Sequence, residues 1–191
     1  MATIVESIRA EYLRYKALAE AAIAQLDETA LSAKGPGGGN SIAVICWHIS
    51  GNFQSRFTDF LTTDGEKPWR NREEEFQPRR VTRSELLAHW ERGWNVLTSA
   101  LDGLTDEQLH ATVTIRRQPL AVHEALLRLL AHLSYHVGQI VYLAKSSRGR
   151  DWKYLSIPPG QSDSANRTPT MTTAASHAAA LAERNSGDRG R

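Results

Sequence analysis

The residues best suited to chemistry in this chain are two histidines, His132 and His136, in the apolar stretch AHLSYHVGQI. An α-helix advances about 100° per residue, so side chains four apart project in parallel from one face. Two imidazoles so placed can chelate one metal ion. Ala125, Leu129 and Ile140 fall on or beside the same arc, which puts the pair at the border of the buried side. The same spacing also suits a half-buried helix whose imidazoles only hydrogen-bond to backbone or to a carboxylate. None of the other five histidines repeats it. His123 stands nine residues before His132, on roughly the opposite side of the helix. His89 and His110 sit in polar contexts, and His177 lies near the end of the chain.

A pair alone is an incomplete metal site, since zinc and nickel take at least a third protein ligand. The best candidate is His48 in CWHISGNFQSRF. There Ile42, Ile49, Phe53 and Phe60 define an apolar arc, and His48, Asn52, Ser55 and Asp59 a polar strip along its edge. Such a strip is either a pocket wall or a solvated edge. Three neutral imidazoles would leave a dication its full charge and an open position, so a thiol or water there becomes a nucleophile at neutral pH. No serine–histidine pair is placed to act instead. Cys46 lies about 160° round the helix from His48 and reads as a small buried hydrophobe.

Other side chains have supporting roles to weigh against ordinary surface or packing. Asn52, one turn beyond His48, is placed to orient a ligand, and Gln139 to support His136 from behind. Arg128, one turn before His132, is placed to meet a substrate carboxylate. The stretch DGEKPWRNREEEF is rich in charge and tryptophan for a connection, so Lys67, Trp69 and Arg70 are candidates for covering the pocket or recognising substrate. Equally, Trp69 only pins the loop.

The elements that must position these groups are helices. Thr3 with Glu6 is a capping box, and an amphipathic pattern follows to about Leu26. SAKGPGGGNS is a flexible break, after which Ser41 is a good N-cap for a second helix. Thr82 with Glu85 opens a third helix, ending near Leu101 and Gly103. Thr105 with Gln108 opens a short turn, and the β-branched ATVTIRRQP suits a short extended piece. Pro119 can sit at or before the first turn of a fourth helix, reaching about Lys145. Four long helices, with a long loop between the second and third, predict an all-α four-helix bundle over residues 1–160. Residues 161–191 are small and polar and predict a disordered tail. HAAALAERN there has too few large apolar groups to dock firmly, so a cut after Gln161 is expected to leave the melt nearly unchanged.

Composition bounds the rest. The 191 residues are 41% hydrophobic and 23% charged, with a formal charge of only +2. Nothing steers such a molecule toward nucleic acid, and no apolar run approaches a membrane span. The start of the chain lacks the pattern of a signal peptide, and one cysteine cannot form an intrachain disulfide. A cytoplasmic location is the expectation.

The motifs together resemble a family. WHISGN on the second helix with AHLSYHVGQI on the fourth resembles the DinB-like superfamily of four-helix metal-binding proteins. FLTTDGEKPWRNREEEF, TVTIRRQPLAVHEALLR and WKYLSIPPGQS resemble one uncharacterised branch of it, over about residues 1–162. The resemblance implies that His48, His132 and His136 hold a divalent metal, zinc or nickel first, with iron also compatible. Characterised relatives include bacillithiol S-transferases and mycothiol-dependent maleylpyruvate isomerase. It therefore implies a metal-dependent transferase acting on a small-molecule substrate with a low-molecular-weight thiol, in a homodimer packed through helices. A non-catalytic metal-binding stress protein and a metal-dependent hydrolase are the alternatives. Nothing points to DNA chemistry. Because imidazole must be neutral to bind metal, release is expected below about pH 6.

Overall fold

Caps decide where the helices begin. The computed structural model describes residues 2–187. Thr3 opens α1 (Ile4–Ile23): its hydroxyl oxygen accepts from the Glu6 N–H at 3.1 Å, and the Glu6 carboxylate accepts from the Thr3 N–H at 2.7 Å. A short α2 (Glu28–Ser32) follows. Ser41 caps α3 (Ile42–Phe57) through the Val44 N–H at 3.2 Å. Thr82 and Glu85 form the reciprocal box that opens α5 (Arg83–Asp102), with a four-residue α4 (Arg72–Glu75) before it in the long loop. The last long helix, α6, runs Val122–Arg148. Its start is later than Pro119 suggests, because Pro119 is taken up in a hairpin, and α1 stops short of Leu26. No helix among the described residues is long and apolar enough to cross a membrane.

The four long helices pack as an all-α bundle, α3 along α5 and α1 along α6. Trp90, Trp94, Tyr12, Phe53 and Leu126 fill its centre. At Gly93 an added Cβ would stand 2.6 Å from the Ser50 Cα, so α5 and α3 meet backbone to backbone. The buried Tyr12 hydroxyl donates to the Leu126 carbonyl at 2.8 Å, fixing α1 against α6 near the histidine pair.

The β-branched stretch forms the one sheet among the described residues, an antiparallel hairpin of β1 (Thr112–Ile115) and β2 (Gln118–Ala121), with Ile115 opposite Gln118. Its two-residue turn is Arg116–Arg117, at φ 53° and 62°. Arginine is costly in that left-handed region, where Asn-Gly is the usual choice. Asp64 offsets the cost by accepting from the Arg116 and Arg117 N–H groups at 2.9 and 2.7 Å. Backbone N–H groups, first from Glu66 and then from the hairpin, pull the Asp64 carboxyl down to about 2. Gly65 N–H adds a bond to the Thr114 carbonyl at 2.8 Å. The loop and the hairpin are thus one unit, fastened to the end of α3 by Ser55 and Arg56, which both donate to the Gly65 carbonyl.

The chain after Gly160 differs from the disordered tail expected of it. Over the described residues it forms α7 (Ser162–Arg167) and α8 (Ala174–Gly187), and α8 lies along α1. Leu181 is fully buried, and the buried His177 Nε2 is 2.9 Å from the Leu155 carbonyl. The alanines of this helix are few in apolar atoms, but their small size brings the backbone close enough to α1 for one leucine to enter the core. Residues 188–191, part of the same expectation, lie outside the described residues.

Candidate metal centre

His48 on α3 and His132 and His136 on α6 come together where the two helices face each other. One ring nitrogen from each lies within 4.8 Å of the other two. Among the described residues they form the one such group of three or more side chains able to hold a metal ion. His48 and His136 are buried, and His132 is half-buried.

Hydrogen bonds behind the rings set which nitrogens face inward. His48 Nδ1 is 2.9 Å from a Glu75 carboxylate oxygen. A carboxylate only accepts, so Nδ1 carries the proton and Nε2 presents its lone pair to the centre. Gln139 plays the same part for His136, its Oε1 2.8 Å from Nδ1. The inward His136 Nε2 is then a buried acceptor with no protein partner. Buried atoms of that kind are rare, and a metal ion would satisfy this one. The Nε2 atoms of His48 and His132 stand 3.2 Å apart. Metal–imidazole bonds of about 2.0–2.1 Å at a tetrahedral angle give an edge of roughly 3.3 Å. The His48–His132 edge therefore matches that spacing, and the His136 donor lies within 4.8 Å of both.

The electrostatics favour the neutral rings a metal needs. Burial, then the neighbouring His136 and His48, pull His132 down to about 3. Burial pulls His136 down to about 4, against the Gln139 hydrogen bond and aided by His48. Burial alone would raise the Glu75 carboxyl, but hydrogen bonds from His48 and Arg70, and the Arg70 charge, hold it below its usual range. Arg70 grips both oxygens of that carboxylate, at 2.7 and 2.9 Å. The order Arg70–Glu75–His48 is a carboxylate–histidine relay of the kind that stiffens metal ligands from behind.

The centre opens into a cavity of about 410 Å³. Asn52, one turn beyond His48, lines it with an amide oxygen that is buried and has no hydrogen-bond partner. Arg128 and Arg70 line it too, whereas Gln139 supports His136 without lining the cavity. The structure does not bring Lys67 or Trp69 to the cavity. The Lys67 ammonium is turned back on its own loop, to Thr63 Oγ1 at 2.6 Å and the Asp64 carbonyl at 2.5 Å, and Trp69 is 58% exposed. Cys46 is fully buried, which pushes its thiol well above the usual range and removes it as a nucleophile. Of the remaining histidines, His89 stacks on Trp47, and His110 and His123 pair ring to ring, away from the centre.

Sequence reading misses Glu75, Phe76, Tyr135 and the arginines Arg56, Arg72 and Arg116. Glu75 is one of three consecutive glutamates, and nothing in the run distinguishes the buried one. One signal was at hand: Gly51, between His48 and Asn52 on α3. A Cβ there would meet the Glu75 carboxylate at 2.3 Å, so the glycine makes room for it.

Residues 2–161 match a family described as proteins of unknown function, DUF1572, and the chain belongs to that family. No curated protein and no solved structure matches it. Helices α7 and α8 lie beyond the matched residues.

Proposed function

We propose that this protein is a divalent-metal-dependent transferase that acts on a small molecule together with a low-molecular-weight thiol. The observation that carries the reading is the donor set: three imidazoles, two of them held from behind, that border a cavity rather than a fourth protein ligand. Structural zinc sites are closed by four protein ligands, whereas a catalytic site keeps a position open. His48, His132 and His136 would hold the ion, and zinc or nickel suits an all-imidazole set. Such an ion supplies Lewis acidity, lowering the pKa of a thiol or water brought to it.

The chain's own groups do the rest. Glu75 and Gln139 keep the protons of His48 and His136 on Nδ1, away from the centre. Burial keeps His132 and His136 uncharged at neutral pH. Phe76, tilted against the His48 ring at 4.6 Å, and Tyr135, 4.3 Å from the His136 ring, flank the donors on two sides. Asn52 offers its unpaired amide oxygen to accept from a donor on a bound molecule. The resemblance to the DinB-like superfamily supports the thiol, a helix-packed homodimer and a cytoplasmic setting. Sedimentation velocity tests the dimer directly.

The test is thioether formation by zinc- and nickel-loaded protein with a panel of small thiols and the fluorogenic electrophile monochlorobimane. The expected result is a metal-dependent rate above the thiol alone, abolished in His132→Ala. Full metal occupancy with no rate for any thiol overturns the transferase reading in favour of a non-catalytic metal binder or a hydrolase.

A further inference from the structure

We propose that the molecule handled at this centre carries an oxyanion, a carboxylate or a phosphate, received by Arg128 and Arg72 at the mouth of the cavity. The proposal rests on the metal-centre reading and adds the charge of the substrate to it. Arg56, Arg70, Arg72, Arg116 and Arg128 line the cavity, and no carboxylate does.

Part of this charge is answered behind the wall. Arg70 is spent on Glu75, with which it forms a buried bidentate pair. Arg56 and Arg116 share one carboxylate, Glu66, at 3.0 and 2.8 Å. One anion for two guanidinium groups leaves an excess there.

Two arginines remain. Arg72 stands 3.3 Å from Glu73, but both side chains are widely exposed, at 49% and 84%, and such a pair holds little. Its guanidinium lies over the Phe76 ring at 4.8 Å, which leaves the N–H edge free to donate in plane. Arg128 is exposed on α6, one turn before His132, and makes no hydrogen bond or ion pair among the described residues.

An imidazole carries no negative charge in either protonation state and so brings no counter-charge, and a bound dication would add two positive charges. A concave wall of one sign concentrates ligands of the other. The unpartnered Asn52 amide oxygen, 6% exposed on the same wall, only accepts, so it takes a donor group of the ligand and not its oxyanion. A neutral or cationic substrate would leave the guanidinium groups unanswered. An acid-bearing one, bidentate on a guanidinium, answers them.

The experiment uses full-length protein loaded with cobalt(II) and titrated with 2-mercaptosuccinate, 2-mercaptoethanol and cysteamine. The sulfur-to-cobalt charge-transfer band reports binding without turnover. Mercaptosuccinate is expected to bind at least about tenfold tighter than mercaptoethanol, with cysteamine weakest. The preference should shrink in about 0.5 M salt and collapse in Arg128→Gln with Arg72→Gln, while cobalt content stays the same. Competition by succinate or by inorganic phosphate tells a carboxylate from a phosphate.

Equal affinity for the three thiols, or a preference that survives the double variant, overturns the proposal. Failure to take up cobalt overturns the metal centre instead. Calorimetry of the metal-free protein with phosphate and succinate then decides the arginine rim alone. Binding lost in Arg128→Gln keeps it, and no binding by either anion overturns it.

Discussion

Replacing Glu75 by glutamine changes one atom of the centre and removes a charge. In the native chain the Glu75 carboxylate accepts from His48 Nδ1 at 2.9 Å and from both arms of Arg70. Glutamine keeps one neutral acceptor. It can no longer serve both partners or answer the Arg70 charge, whose side chain is only 2% exposed. Residues behind metal ligands contribute about 10- to 100-fold to affinity, or about 1.4–2.7 kcal/mol. At a fixed excess of free metal, the stabilisation gained from binding falls by that amount. For a chain of this size that removes roughly 3–11 °C from the metal-induced rise in Tm. The metal-free protein should lose about 1–3 kcal/mol from the orphaned guanidinium. Zinc affinity is read by competition with a chromophoric chelator, and the metal-free loss by urea unfolding in chelator. Affinity within about twofold of wild type, beside a normal loss in the metal-free protein, would refute the relay and make Glu75 a partner of Arg70 alone.

Gly51→Ala should act on the same group from the other side, since its Cβ would stand 2.3 Å from the Glu75 carboxylate oxygen; chelator competition should show metal bound about tenfold more weakly. Gly138→Ala on α6, where an added Cβ meets nothing within 4 Å, should instead stabilise the helix by about 0.5–1 kcal/mol in the same urea assay. Leu181→Ala should cost about 2–4 kcal/mol, because the native side chain is fully buried against the bundle; an unchanged melt would return the tail to the disorder its composition suggests. His132 and His136 have folded values of about 3 and about 4 against an ordinary 6.5, so the unfolded chain takes up protons first as the pH falls. The metal-free fold should therefore be flat above about pH 7 and lose stability from about 6.5 downward. For the same reason His132 and His136 are expected to keep their lone pairs for metal below the ordinary imidazole range; dialysis at stepped pH with metal analysis checks it.

The long helices were legible because each begins with a side chain that has a chemical reason to begin it. Thr3, Ser41 and Thr82 stand in the structure as caps where their spacing puts them. His132 and His136 were legible from helical periodicity, and Gln139 from its place one position short of a turn beyond His136. His48 was harder: its own helix gives a polar strip that reads two ways, and only the pairing of α3 with α6 decides it. Glu75 was not legible within its own run, where a glutamate among glutamates looks solvated; only Gly51 on α3 hints at the group that returns to it. The arginine wall escaped for a similar reason. Arg116 reaches the cavity only because Asp64 holds a strained turn, and that contact joins residues some fifty positions apart. Leu181 shows the opposite failure, where composition averaged over a polar segment hid a single anchoring side chain.

The central claim is that His48, His132 and His136 hold a metal ion. Elemental analysis of untagged protein beside His132→Ala tests it most directly. About one divalent ion per chain in the native protein, lost in the variant, is the expected result. No metal in either, with added zinc and nickel also failing to bind, would contradict it and leave the three imidazoles as polar groups of the bundle interior.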